Sequence, residues 1–257
     1  MSDDLSVEQS RGKADLAADI KKYLVKGAFA KLIMVAILFL SAGRLDWVMG
    51  WVLVGVYVSW DILVAVTLIP RSPGLIAERA RIQEGTKKWD IVITGLAASL
   101  MPMVAWMVAG LNVRFGWSPQ IPVALQLAAF AIVVLGFALV TWAMASNEFF
   151  SAMVRIQKDR GHTVASGGPY QYVRHPGYVG AIMFQVTTPI MLGSVWALIP
   201  SGLAALLYIL RTALEDKTLQ DELEGYTAYA ERVRYRLLPA SGSPARSGFS
   251  SLLYGRG

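Results

Sequence analysis

An arginine, a histidine and three tyrosines share one short stretch, Gly168-Pro169-Tyr170-Gln171-Tyr172-Val173-Arg174-His175-Pro176-Gly177-Tyr178-Val179-Gly180, beside apolar runs of membrane length. An ionisable side chain costs about 3 kcal/mol or more at the centre of a bilayer, so such groups usually line a cavity and serve a ligand. The stretch is read as the cofactor half of a buried site. A second polar segment, Arg211-Thr212-Ala213-Leu214-Glu215-Asp216, is followed by Tyr226, Tyr229, Arg232, Arg234 and Pro239. Arg211 and Glu215 stand at i and i+4 and share a face on a helix. They could present one cation and one anion to a cavity, or form a surface ion pair of small value.

The elements that must carry these residues follow from composition. The chain has 257 residues, 55% hydrophobic and 16% charged, and a mean hydropathy of +0.47, more apolar than a soluble core of that length needs. Absence of cysteine excludes disulfides, thiolate nucleophiles and Cys-ligated metal, and two histidines, His162 and His175, are too few for a His-only metal site. No metal is expected. The net charge of +6 comes from basic residues flanking apolar spans, not from a basic stripe interleaved with aromatics, so nucleic acid is not a partner. Apolar runs at about 28–43, 47–69, 91–111 and 121–146 approach the length a crossing helix needs. A shorter fifth run (about 179–193) breaks at Gly193-Ser194 and a sixth (about 195–212) returns as a hairpin. Thr187-Thr188-Pro189 loosens the short arm.

The expected fold is an all-α integral membrane helical bundle with a C-terminal transmembrane helical hairpin, about five to six membrane helices, and cytoplasmic cofactor-binding segments. Residues 1–26, with Leu16, Ile20 and Leu24 recurring among lysines, read as an amphipathic interfacial segment. Residues 27–146 carry four spans, 147–240 the chemistry-bearing region, and 241–257 a flexible Ser/Gly/Pro/Arg-rich tail. The opening Ser2-Asp3-Asp4 lacks the basic start of a cleavable signal, so the first span is expected to be retained. Connections 1–27, 70–90, 147–177 and 211–257 hold 21 of the 24 basic residues, which places both termini and the two polar segments on the cytoplasmic side.

The pattern Gly-x-Tyr-x-x-x-Arg-His-Pro-x-Tyr-x-Gly, an apolar hairpin, then Arg-x-x-x-Glu-acid and Tyr-x-x-Tyr-x-x-Arg-Val resembles the isoprenylcysteine carboxyl methyltransferases and their phospholipid methyltransferase relatives over about residues 147–239. The resemblance implies a membrane methyltransferase using S-adenosyl-L-methionine. It implies that the cofactor is held by His162, Thr163, Val164 and Ala165, by Tyr170, by His175, Pro176, Gly177 and Tyr178, and by Glu215. It assigns Arg211 to the substrate and makes Arg211 and Glu215 the catalytic pair. A family glutamine falls near Arg155 or Gln157, with Gln157 as the expected contact, and the acid pair is Glu215-Asp216 where the family has two glutamates.

Those residue types suit the ligand: a carboxylate, an ammonium, a ribose diol, a flat purine and a sulfonium call for polar donors, one carboxylate and aromatic faces. A carboxylate acceptor arrives ionised and needs no base, which favours it over a thiol or amine. The implied partners are a lipophilic or prenylated substrate and membrane lipids; the oligomeric state stays open. Membrane sterol reductases, which use NADPH, resemble the same Arg-His-Pro-x-Tyr-x-Gly element, but an acid tends to follow that glycine where this chain has Ala181. A non-catalytic lipid-binding protein is the other rival. Taken singly, His175 reads as a helix cap, His162 as a loop residue, Arg174 as a headgroup anchor, and Tyr226 and Tyr229 as interfacial packing. Asp61, inside the second span, is expected to face a cavity or to pair, with Lys31 as candidate. Trp47, Trp51, Trp106, Trp117 and Trp196 read as interfacial belt residues.

Overall fold

Backbone polar groups inside a bilayer have no water to satisfy them, so long apolar runs fold as helices that satisfy their own. The computed structural model describes residues 2–80 and 82–238, with side chains from Ala14. Its helices are α1 (Ser2–Ala42), α2 (Val48–Arg71), α3 (Pro73–Arg79), α4 (Lys88–Thr94), α5 (Met101–Phe115), α6 (Val123–Ala145), α7 (Pro176–Met191), α8 (Leu198–Glu222) and α9 (Tyr226–Arg232). No strand occurs among the described residues. The expected tail at 241–257 lies outside them.

Among the described residues, five helices are long and apolar enough to cross a membrane: Ala14–Ala42, Val48–Arg71, Lys88–Phe115, Val123–Ala145 and Leu198–Glu222. The expected interfacial segment and first span form one unbroken helix, α1. α7 has 16 residues, too few for a full crossing at 1.5 Å per residue. The returning arm extends well past the end of its apolar run, so Arg211 and Glu215 stand on the same helix, α8. The third crossing joins α4 to α5 through a π-helical stretch, Gly95–Leu100. Pro102 has no N–H for an i−4 carbonyl and its ring needs room, which explains a widened turn just before it.

Close packing of α6 on α7 positions the motif helix. A Cβ added at Gly136 would lie 2.7 Å from the Gly180 carbonyl, and one added at Gly180 would lie 2.5 Å from the Gly136 carbonyl. Only hydrogen lets the two backbones approach this far. Phe137 and Phe184 stack beside them with ring centroids 4.4 Å apart. At the far end, the buried Asn112 donates to the Gly193 carbonyl at 3.1 Å and accepts from the Ser118 N–H at 2.6 Å, which fixes the hairpin turn to α5. Between α1 and α2, Lys31 and Asp61 form the ion pair expected of two charges inside spans. Trp47 departs from the belt reading: it is buried under Gly50 and Phe39, whereas Trp51, Trp117 and Trp196 remain exposed.

Gly180→Val should force α6 and α7 apart and lower stability by about 1–3 kcal/mol, as overpacking does. Thermal unfolding in detergent checks this, with Gly202→Val, which meets nothing within 4 Å, expected to unfold like the wild type.

Candidate active site

Both polar segments line one cavity of about 380 Å³, a size typical of small-molecule sites. Its wall changes character along its length. Tyr57, Trp60, Trp106, Phe137 and Phe184 line it within the bundle, and His162, Tyr170, His175, Tyr178, Glu215 and Tyr226 line it where the polar segments meet. Trp106 is therefore a cavity residue and not a belt residue.

Asp216 organises the polar end. It is fully buried and receives Arg174 through Nε at 2.7 Å and Nη2 at 3.1 Å, the Tyr226 hydroxyl at 2.9 Å, the Gln220 amide at 2.8 Å and Arg236 Nε at 2.8 Å. His175 Nε2 lies 3.2 Å from the same carboxylate. Arg174 also donates through Nη1 to the carbonyls of Ala230, Val233 and Arg234. Its backbone N–H reaches the Tyr235 carbonyl and that of His175 the Arg236 carbonyl. Arg174 is thus neither a headgroup anchor nor a free ligand contact; it is a buried strut. A carboxylate beside Nε2 favours the tautomer with the proton there and leaves the Nδ1 lone pair.

A second buried pair joins α4 to α8. Arg211 Nε and Nη2 donate to Asp90 at 2.6 and 2.9 Å, and Nη2 also reaches the Ala152 carbonyl. Asp90 further accepts the Val154 N–H at 2.7 Å. The guanidinium lies 5.2 Å from the Tyr178 ring centroid. Arg211 and Glu215 therefore share the cavity without pairing with each other. Glu215 instead accepts the Tyr178 hydroxyl and has no cationic partner among the described residues. A third pair, Arg155 to Glu78 at 2.7 and 3.0 Å, backs the loop.

The loop before α7 curls on itself through Gly161, whose φ of +64° is in the left-handed region that glycine favours. This returns His162 to the loop's start: Nδ1 accepts the Gln157 N–H at 3.3 Å and the ring packs on Phe149, centroids 4.6 Å apart. Burial, with the nearby Arg155 and Arg160 charges, pushes the imidazole down to about 4. Burial also pushes the Tyr170 and Tyr229 phenols up, keeping both as donors; Tyr229 holds the Tyr170 carbonyl at 2.8 Å.

Of the residues that the two motifs mark, His162, Thr163, Val164, Ala165, Tyr170, His175, Gly177, Tyr178, Arg211 and Glu215 all line the cavity. Gln157 and Pro176 stand outside the lining. The Gln157 amide donates to the Phe149 carbonyl and accepts from Arg160, whereas Arg155 does line the cavity. Pro176 starts α7, where a missing N–H costs nothing, and Gly177 admits the Phe150 ring, 2.6 Å from where a Cβ would be. Asp90 and Glu78 escaped the reading because their partners lie 121 and 77 residues away. Tyr226 and Tyr229 are buried wall residues, not interfacial packing.

Residues 128–221 match the family model described as "Isoprenylcysteine carboxyl methyltransferase (ICMT) family". The chain is also similar to the "Protein-S-isoprenylcysteine O-methyltransferase" of Schizosaccharomyces pombe, with 34% identity over 70 residues, 27% of this chain and 30% of that relative. The match thus spans under a third of the relative's length. The resemblance carried by the two motifs is shown over this region. With the five apolar helices, it marks a multi-pass membrane protein.

Asp216→Asn should leave Arg174 buried without a counter-charge and cost about 3–5 kcal/mol of stability, read as a lowered unfolding midpoint, while Lys217→Ala on the exposed Lys217–Asp221 pair leaves the midpoint unchanged. His162 yields a pH dependence. Its imidazole titrates lower folded, at about 4, than its ordinary 6.5, so the unfolded chain takes up the proton first and stability falls as pH drops from 6.5 towards 4. The unfolding midpoint of His162→Gln should fall less over that window than the wild type's.

Proposed function

We propose that this protein is an integral membrane methyltransferase that uses S-adenosyl-L-methionine to methylate a carboxylate on a lipophilic, isoprenylcysteine-like acceptor. The observation that carries this reading is Glu215: a carboxylate on the cavity wall, held by the Tyr178 hydroxyl and without an ion-pair partner among the described residues, beside an imidazole and tyrosine rings. A zwitterionic nucleoside sulfonium complements that set, since it needs an acid for its positive centres, polar acceptors for its ammonium and aromatic faces for its purine.

The assignment of roles follows. Glu215 takes the ammonium or the ribose hydroxyls, and Tyr170 and Tyr178 flank the purine or the sulfonium. His175, whose Nε2 lies against the Asp216 carboxylate, turns Nδ1 to the polar tail. His162, Thr163, Val164 and Ala165 close the loop over the nucleoside, and Gln157 holds that loop's shape through Phe149 and Arg160. Pro176 and Gly177 set the turn that brings α7 and Phe150 against the site.

When bound, the cofactor would supply a methyl group activated by its sulfonium, which a carboxylate acceptor could take without giving up a proton. The chain's contribution is positioning and exclusion of water, which can account for most of the acceleration of such a displacement. The aromatic and aliphatic chamber lined by Tyr57, Trp60 and Phe137 suits an acyl or prenyl tail arriving from the bilayer. The cytoplasmic placement of the polar mouth rests on the lysine and arginine bias of the loops.

Calorimetric titration of the protein in nanodiscs with S-adenosylhomocysteine tests the reading. Binding is expected, and Glu215→Gln should weaken it about tenfold or more, the range for a lost charge-assisted hydrogen bond. Tight NADPH binding without affinity for the nucleoside thioether would replace methyl transfer with a redox role.

A further inference from the structure

Among the described residues, four arginines line the cavity: Arg79, Arg155, Arg174 and Arg211. Three are cancelled, each held through two nitrogens by a buried acid: Arg155 by Glu78, Arg174 by Asp216 and Arg211 by Asp90. Arg79 differs. Among the described residues it has no carboxylate partner; Nη1 donates to the Phe150 carbonyl at 3.2 Å, and Nε is buried without a hydrogen bond. A buried donor left unmade costs stability that a ligand can restore.

Arg79 also packs beside the apolar part of the cavity wall. Its guanidinium lies 5.6 Å from the Phe150 ring centroid, and Phe150 belongs to the apolar cluster of Val64, Leu68, Ile76 and Met144, against which Trp60 and Val140 also pack. Trp60 and Val140 line the chamber within the bundle. Burial pushes the Arg79 charge down, the neighbouring Tyr23 hydroxyl partly offsets that push, and the nearby Arg211 charge adds to it. Arg211 keeps one nitrogen, Nη1, free of hydrogen bonds among the described residues, its Nε and Nη2 being taken by Asp90 and Ala152. A guanidinium without a carboxylate partner among the described residues, next to an apolar chamber, calls for an anion with a greasy tail.

We propose that Arg79 is the residue that binds the acceptor's carboxylate, and that Arg211 serves mainly to hold Asp90 and the 152–154 loop in place. The inference rests on the methyl-transfer reading. It assigns the acceptor-binding role to a residue outside both motifs, and makes the cavity a matched pair of charges: Glu215 for the cofactor's positive end, Arg79 for the acceptor's negative one. Holding the carboxylate by one oxygen leaves the other free to form the new bond to the methyl carbon.

The test compares binding of a long-chain thioether acid, N-acetyl-S-dodecylcysteine, with that of its carboxamide, to the full chain in nanodiscs. The wild type should prefer the acid about tenfold or more, and Arg79→Gln should bring the two ligands within about twofold of each other. Arg79→Lys should keep part of the preference. S-adenosylhomocysteine affinity should stay within about twofold of wild type in both variants, which also shows that they fold. An acid preference that persists in Arg79→Gln overturns the proposal, as does a loss of nucleoside affinity in that variant, which would make the cofactor's own carboxylate the anion. Absence of nucleoside binding by the wild type would instead remove the methyl-transfer reading itself.

Discussion

A single buried carboxylate, Asp216, governs the geometry of the site. Removing such a charge from water costs several kcal/mol, and only dense compensation makes it tolerable. Arg174, His175, Gln220, Tyr226 and Arg236 supply that compensation, and they come from the start of α7, from α8, from α9 and from the segment after it. The carboxylate thereby ties together four parts of the chain. Adjacent residues on a helix point about 100° apart, so the neighbouring Glu215 can face the cavity while Asp216 faces the protein. The acid pair thus divides its labour: one member for the scaffold, one for the ligand.

The same logic extends through the molecule. Charges that enter spans or their rims are cancelled by specific partners: Lys31 by Asp61, Arg211 by Asp90 and Arg155 by Glu78. Cancellation makes the exceptions informative. Beside these neutralised pairs, Glu215 and Arg79 have no ion-pair partner among the described residues, and they lie on a cavity whose remaining lining is largely aromatic and aliphatic.

Much of this was legible in the chain. Apolar runs of membrane length gave the crossings, and the compact Arg174-His175-Pro176-Gly177-Tyr178 element and the Arg211-to-Glu215 spacing marked the cavity, because local motifs put their residues on one helix turn or one loop. The role of Arg174 was not legible, since a basic residue at a span's edge looks the same whether it reaches headgroups or a buried acid. Asp90 and Arg79 sit among the basic and acidic residues of the 70–90 connection and carry no periodic signature; their significance comes from partners, or their lack, that only the tertiary fold brings within reach. Tyr226 and Tyr229 looked like interfacial aromatics because phenols serve both at membrane edges and in pockets. The π-helical stretch at Gly95–Leu100 followed from Pro102, but only once the helix on either side of it was known to continue.

The account stands or falls on whether one hollow holds both reactants. The most direct measurement is the structure of the protein with S-adenosylhomocysteine bound. The account predicts the nucleoside under the His162-to-Ala165 loop, its thioether sulfur beside Tyr178 and Glu215 and open towards the chamber lined by Trp60 and Phe137. A ligand lodged elsewhere, or a sulfur walled off from that chamber, would contradict it.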